Sequence, residues 1–107
     1  MVVARGDVWL AALDPTVGSE IRKTRPCVIV SPPEMHDYLR TVIVAPMTTA
    51  GSRAPFRVPL KFAGKSGLVL LDQVRPLDKR RLVQRLGTVS PATLRASLAA
   101  LQEIFAA

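Results

Sequence analysis

This 107-residue chain holds one cysteine, one histidine and one tryptophan, and its aromatic residues make up only 5%. Each scarcity removes a class of function. A single thiol, Cys27, can close no internal disulfide and build no cysteine cluster for zinc, which fits a reducing compartment. Placed inside the apolar run CVIVS (27–31), it is expected to be a small buried hydrophobe. A single imidazole, His36, excludes a two-histidine acid–base pair. Its setting in PPEMHDYL (32–39) makes it an expected exposed turn residue, unsuited to a Ser-His-Asp triad. The eight Asp and Glu are scattered without metal-ligand spacing, and the six glycines form neither a P-loop nor a dinucleotide fingerprint. No metal and no nucleotide cofactor is expected. No apolar run approaches the roughly 18 residues of a membrane span, and the opening MVVARGDVW lacks a signal-peptide core. The expectation is a soluble cytoplasmic protein.

What the chain does have is positive charge. Fifteen Lys and Arg oppose the eight acids, for a net charge of +7. Eleven of the fifteen are Arg, the residue whose planar fork suits bidentate phosphate contacts. A small basic domain points to a polyanionic partner, nucleic acid before membrane. Apolar residues reach 49%, enough for one core in a single domain spanning 1–107.

The pattern is of short strands cut by Pro and Gly. GDVWLAAL (6–13) is the first strand, closed by Asp14-Pro15. CVIVS (27–31) has the continuous apolar character of a strand covered on both faces. A helical turn is expected in 32–39, then strands at 41–46, 55–60 and 67–74, and a last one within 82–89. MTTAGSRA (47–54) is a polar loop, and DKRRL (78–82) a solvated basic turn. Ser90-Pro91 forms an N-cap followed by proline at the first helical position. Leu94, Leu98, Leu101 and Phe105 then recur at helical spacing, with Arg95, Gln102 and Glu103 off that line. These elements imply a mainly β (α+β) fold: a small, twisted, SH3-like barrel of five to seven strands, with a C-terminal amphipathic helix and a short helix after strand 2. Strands apolar on both faces exceed what one helix covers, which suggests a homodimer.

The segment GSEIRKTRP (18–26) is unusual, with one carboxylate and then three cations before a proline. Arg, Glu and hydroxyls suit one chemistry well. RNA carries its own nucleophile, the 2′-OH, beside each phosphate. An enzyme needs only to take that proton, neutralise the phosphate as charge builds, and help the 5′-oxygen leave. Glu20 could serve as base, Arg25 as cation and a threonine hydroxyl as a second phosphate donor. The segment would then be a mobile flap that ends at Pro26.

RGDVWLAALDPTVGSEIRKTRPCVIVSP, followed by VIVAPMTT and LLDQVRPLDKRRL, resembles the MazF/PemK family of toxin endoribonucleases over nearly the whole chain. The resemblance implies an SH3-like barrel homodimer that cuts single-stranded RNA at short sequences without metal. Such a protein is the toxin of a type II toxin–antitoxin pair, with an acidic antitoxin peptide lying over the RNA groove. By the same resemblance Glu20 assists proton transfer, Arg25 is the essential cation, and Thr48 contacts the scissile phosphate. Thr49 is a helper, and Asp72 and Gln73 are the DQ pair near the groove. Ser19, Arg22, Lys23, Ser52 and Arg53 complete the expected RNA-binding set.

This chain also departs from the family. Many relatives have Gln and Gly after the loop glutamate, where Ile21-Arg22-Lys23 stands here, stiffening the loop and adding charge. Ser19 replaces a histidine of some relatives, and Leu70 an arginine, so the resemblance assigns no general acid. Arg25 could instead pair with Asp14 or Asp72, and Trp9 is expected in the core or a dimer interface. Two other functions share these features: a CcdB-like toxin acting on gyrase, and an RNA-binding barrel without catalysis. The first is associated with a C-terminal tryptophan, whereas this chain ends EIFAA.

Overall fold

The computed structural model describes residues 1–21 and 23–107; Arg22, expected to bind RNA, lies outside the described residues. Seven strands and two helices occur among them: β1 (Asp7–Ala12), β2 (Thr24–Ile29), α1 (Pro33–Tyr38), β3 (Thr41–Thr48), β4 (Arg57–Phe62), β5 (Lys65–Leu70), β6 (Arg75–Asp78), β7 (Leu82–Thr88) and α2 (Pro91–Ile104). The strands are antiparallel and follow the order β4-β5-β3-β2-β1-β7, with β6 also paired to β3. This is the mainly β barrel-like sheet with a C-terminal helix that the sequence implies.

β3 organises the site. One edge pairs with β2 from Cys27↔Pro46 to Ile29↔Val44. Its other edge is shared, β6 taking 41–44 and β5 taking Met47 and Thr48. Between β5 and β6 the chain makes a single 3-10 turn, Leu71–Gln73, whose Leu71 is fully buried. The strand expected over 67–74 therefore stops at Leu70. The stretch after it, expected to hold no strand before 82, forms β6 because the open edge of β3 needs a partner for its backbone groups.

Two other boundaries move for the same reason. β2 starts at Thr24, not 27, because Thr24 and Arg25 pair with Ala12 and Ala11 of β1. Pro26 sits within the strand, at a point where pairing to β3 has not yet begun. Arg25 is thus a strand residue and not part of the flap. β3 runs on to Thr48, two residues past the expected end. β4 carries Pro59 and ends the strand order, the edge position proline tolerates.

The two faces of the central strands feed two cores. Trp9, Ala11, Leu13, Cys27, Ile29, Val42, Val44, Leu77 and Leu82 form one. Val8, Val28, Val30, Ala45, Met47, Val69, Leu71 and Val89 form the other, against which Leu94, Leu98, Leu101 and Ile104 of α2 pack. The two-faced burial expected for CVIVS is met inside one chain. Ser90 caps α2, its Oγ accepting from the Thr93 amide at 3.1 Å. Phe105, expected on the apolar stripe, is instead 75% exposed, since the helix ends one residue earlier and Ile104 takes the packing position. His36 also differs from its expected exposure. It is buried, with Nδ1 donating to the Val3 carbonyl at 3.0 Å and Nε2 2.6 Å from Ser31 Oγ. α1 folds this ring over the N-terminal segment and so gives the imidazole a structural task.

DKRRL is not a simple solvated turn. Asp78 caps it by accepting from the Arg80 amide at 2.8 Å, and Arg81 donates to the Ala12 carbonyl at 3.3 Å. Arg80 binds the Asp78 carboxylate and, by hydrogen bonds first and charge second, lowers its pKa.

Candidate active site

Arg25 and Thr48 come from neighbouring strands. The β2–β3 ladder ends at Cys27↔Pro46, and continuing its register by two residues sets Arg25 against Thr48. Both line one open cavity of about 330 Å³, with Thr49 and Lys65 on its rim and Leu60, Phe62 and Leu86 supplying apolar wall. Arg25 is exposed and Thr48 half-buried. Thr48 Oγ1 accepts from the Ala50 amide at 3.1 Å, which fixes the side chain and leaves its hydroxyl proton to donate.

Beneath Arg25, the Cys27 thiol is fully buried, and desolvation pushes its pKa from the ordinary 9.0 up to about 12 against the opposing charge of Arg75. This cysteine is an inert core group, as expected, and no nucleophile.

Thr49 also borders a second cavity of about 450 Å³ with Arg53, Lys61 and Ser66, so cations continue beyond the first cavity. Ser52 and Arg53 are exposed on the loop after β3.

Glu20 lies elsewhere. It lines a smaller cavity of about 160 Å³ with Asp72, Gln73 and Arg75. Its carboxylate accepts from the Val17 amide at 2.6 Å, closing a tight local turn. The following residue is tied down twice. The Ile21 amide donates to Gln73 Oε1 at 2.8 Å, and the Ile21 side chain packs against the first core cluster. Ile21 thus anchors the loop through both its amide and its apolar side chain. Ser19 is exposed. Lys23 is exposed with φ 66°, a left-handed conformation that costs a non-glycine residue roughly 1–2 kcal/mol.

Asp72 is engaged by a residue that sequence reasoning did not single out. Arg57 binds it with both Nε (3.2 Å) and Nη2 (3.1 Å), and sends Nη1 to the Ser52 carbonyl at 3.1 Å. The hydrogen bond and charge of Asp72 push the Arg57 guanidinium pKa still higher. No signal at the sequence level marks this pair, because its members lie 15 residues apart across a strand pair. The structure thus brings Arg25, Thr48 and Thr49 together, while Glu20, Asp72 and Gln73 form a neighbouring cluster. Among the described residues no group of His, Cys, Asp or Glu could hold a metal ion, and no helix is long and apolar enough to cross a membrane.

The chain is similar to known proteins in sequence and in fold. Residues 4–105 match the family described as PemK-like, MazF-like toxin of type II toxin-antitoxin system. The chain is 37% identical over 99 residues to the endoribonuclease MazF of Staphylococcus epidermidis, covering 87% of this chain and 82% of that protein. It is 38% identical over 106 residues to the endoribonuclease PemK of Escherichia coli, covering 94% and 80%. Its fold is similar to the crystal structure of MazF from Deinococcus radiodurans, with a TM-score of 0.89 at 27% identity over 100% of this chain and 99% of that one. A mycobacterial endoribonuclease solved in complex with its cognate antitoxin aligns with a TM-score of 0.80 at 26% identity, over 95% and 93%. The chain belongs to the PemK-like, MazF-like toxins of type II toxin–antitoxin systems.

Proposed function

We propose that this endoribonuclease of the PemK/MazF family cuts single-stranded messenger RNA at short sequences, without metal, and so stops translation and growth. The 2′-oxygen attacks the adjacent phosphorus as its proton passes to a base. The bond from phosphorus to the 5′-oxygen breaks, and that oxygen gains a proton. The products are a 2′,3′-cyclic phosphate and a 5′-OH, so atoms and charge balance without water or cofactor.

The observation that carries the reading is the meeting of Arg25 and Thr48 on one cavity. Arg25 neutralises the phosphate oxygens as charge accumulates on them, and Thr48 donates its hydroxyl proton to one of them. Removing a donor of this kind lowers a rate by about 10²–10³. Lys65 and Thr49 hold the neighbouring backbone, and the apolar wall of Leu60, Phe62 and Leu86 accepts a splayed base. Ser52 and Arg53 meet the flanking nucleotides. Glu20, on the neighbouring cavity, serves as base from the loop that Gln73 holds in place. Ser19, Arg22 and Lys23 serve the flanking RNA backbone.

The chain acts as a cytoplasmic homodimer. Its partner is an acidic antitoxin segment, attracted by the net charge of +7 and laid over the same cavity as RNA. The test is digestion of a long single-stranded RNA in excess EDTA by the wild type, Arg25→Ala and Thr48→Ala. Cutting by the wild type, with both variants slower by about 10² or more, is the expected outcome. RNA that is bound and left intact by the wild type would overturn it.

A further inference from the structure

We infer that the turn Leu71–Gln73 is a tie bar for the two loops around the site, Asp72 holding one through Arg57 and Gln73 the other directly, so that both are positioning residues and not RNA contacts. The inference builds on the function proposed above, since it assigns roles around that site. Consecutive residues here reach in two directions. Gln73 Oε1 accepts from the Ile21 amide at 2.8 Å and so fixes the loop that carries Ser19, Glu20 and Lys23. The Asp72 carboxylate takes two donors from Arg57, whose remaining arm holds the Ser52 carbonyl and with it the loop after Thr48.

The turn can bear this load because it is anchored. Leu71 is fully buried in the second core, and its amide donates to the Phe56 carbonyl at 3.1 Å. Asp72 is also ill placed for a direct RNA role, since both its carboxylate oxygens accept from Arg57, which fixes its geometry. Arg57 in turn spends three of its donors inside the protein, which leaves it ill placed to grip a phosphate. Each loop end is therefore held by side chains that cutting does not consume, and the spacing between Thr48 and Glu20 depends on the same turn.

The test is amide hydrogen exchange by NMR on the RNA-free protein, followed by the salt dependence of RNA binding. Gln73→Met should speed exchange at Ile21 and its neighbours by about tenfold, the worth of one hydrogen bond, and leave 50–54 unchanged. Asp72→Ala should do the reverse. Gln73→Glu, which keeps an acceptor oxygen, should retain wild-type exchange at Ile21. Both loosening variants should lose kcat/KM while the slope of log affinity against log salt stays at its wild-type value. Unchanged exchange in the loop assigned to either residue overturns the inference, as does a shift of about 0.7 in that slope, the signature of one single-strand phosphate contact. A wild type that leaves RNA intact would defeat the proposed function, yet the exchange pattern would still be read without RNA.

Discussion

Thr48 and Gly67 approach so closely across β3 and β5 that a Cβ placed on Gly67 would lie 2.6 Å from the Thr48 carbonyl oxygen. A Cβ on Gly51 would lie 3.0 Å from Thr48 Cγ2. Thr48 thus has two neighbours that come close because they lack a side chain, one to its main chain and one to its side chain. Gly67→Ala cannot be absorbed by a flexible side chain, because the group it meets is main chain. Overpacking of this kind costs about 1–3 kcal/mol. The expected result is a lower urea midpoint with RNA cleavage reduced more than RNA binding, because the displaced atom belongs to the residue proposed to contact phosphate. Wild-type cleavage by Gly67→Ala would show that the Thr48 position is not critical.

Cys27 gives a pH dependence of known sign. Burial raises its pKa in the fold from 9.0 to about 12, so between those values the unfolded thiol ionises while the folded one keeps its proton. Stability from this group is complete below pH 9 and falls as pH rises towards 12. Urea titrations from pH 8 to about 11 should show this decline, and it should flatten in Cys27→Ala. Below that range, iodoacetamide should label the thiol in urea and spare it in the folded protein.

His36 should prove structural. His36→Leu removes the donor to the Val3 carbonyl and one partner of Ser31 Oγ, which keeps the Ile43 amide, and so strips buried polar groups of hydrogen bonds. The expected loss is about 1–3 kcal/mol, read as a lower unfolding midpoint. Cleavage measured well below that midpoint should be unaffected, since the ring lines neither the Arg25 nor the Glu20 cavity. A large drop in cleavage with unchanged stability would instead make it a participant in the chemistry.

Arg53 is exposed and lines the cavity beyond Thr49. If it meets a phosphate, Arg53→Ser should weaken binding to all single-stranded RNAs alike and reduce the salt slope by about 0.7. Its effect on the rate of cutting at saturating RNA should be small. A change in the preferred cleavage sequence would show a base contact instead.

Much of this was legible in the sequence, for identifiable reasons. The apolar runs around Cys27 and Val44, the Ser90-Pro91 cap and the leucine spacing of α2 carry local signals that tertiary structure leaves in place. Arg25 and Thr48 could be singled out because each belongs to a short motif near a strand end. What escaped were features fixed between distant segments. β6 exists because β3 has an edge to fill, and Thr24 and Arg25 are strand because β1 offers them partners. His36 is buried by a helix of six residues folding over Val3, which no local pattern reveals. The Arg57–Asp72 pair likewise arises only when β4 meets the turn after β5. Glu20 and Arg25 were read as parts of one flap, yet Arg25 joins β2 while the loop carrying Glu20 is tied to Gln73.

The central claim is that RNA supplies its own nucleophile at a site built from Arg25 and Thr48. It is tested most directly with one RNA oligonucleotide containing a single cleavage site, compared with the same strand bearing one 2′-deoxy nucleotide just 5′ of the scissile phosphate. The account predicts that both strands bind with similar affinity in excess EDTA, and that only the all-RNA strand is cut, leaving a 2′,3′-cyclic phosphate. Cutting of the deoxy strand at the same bond would contradict it, because an outside nucleophile would then be doing the work assigned to the 2′-OH.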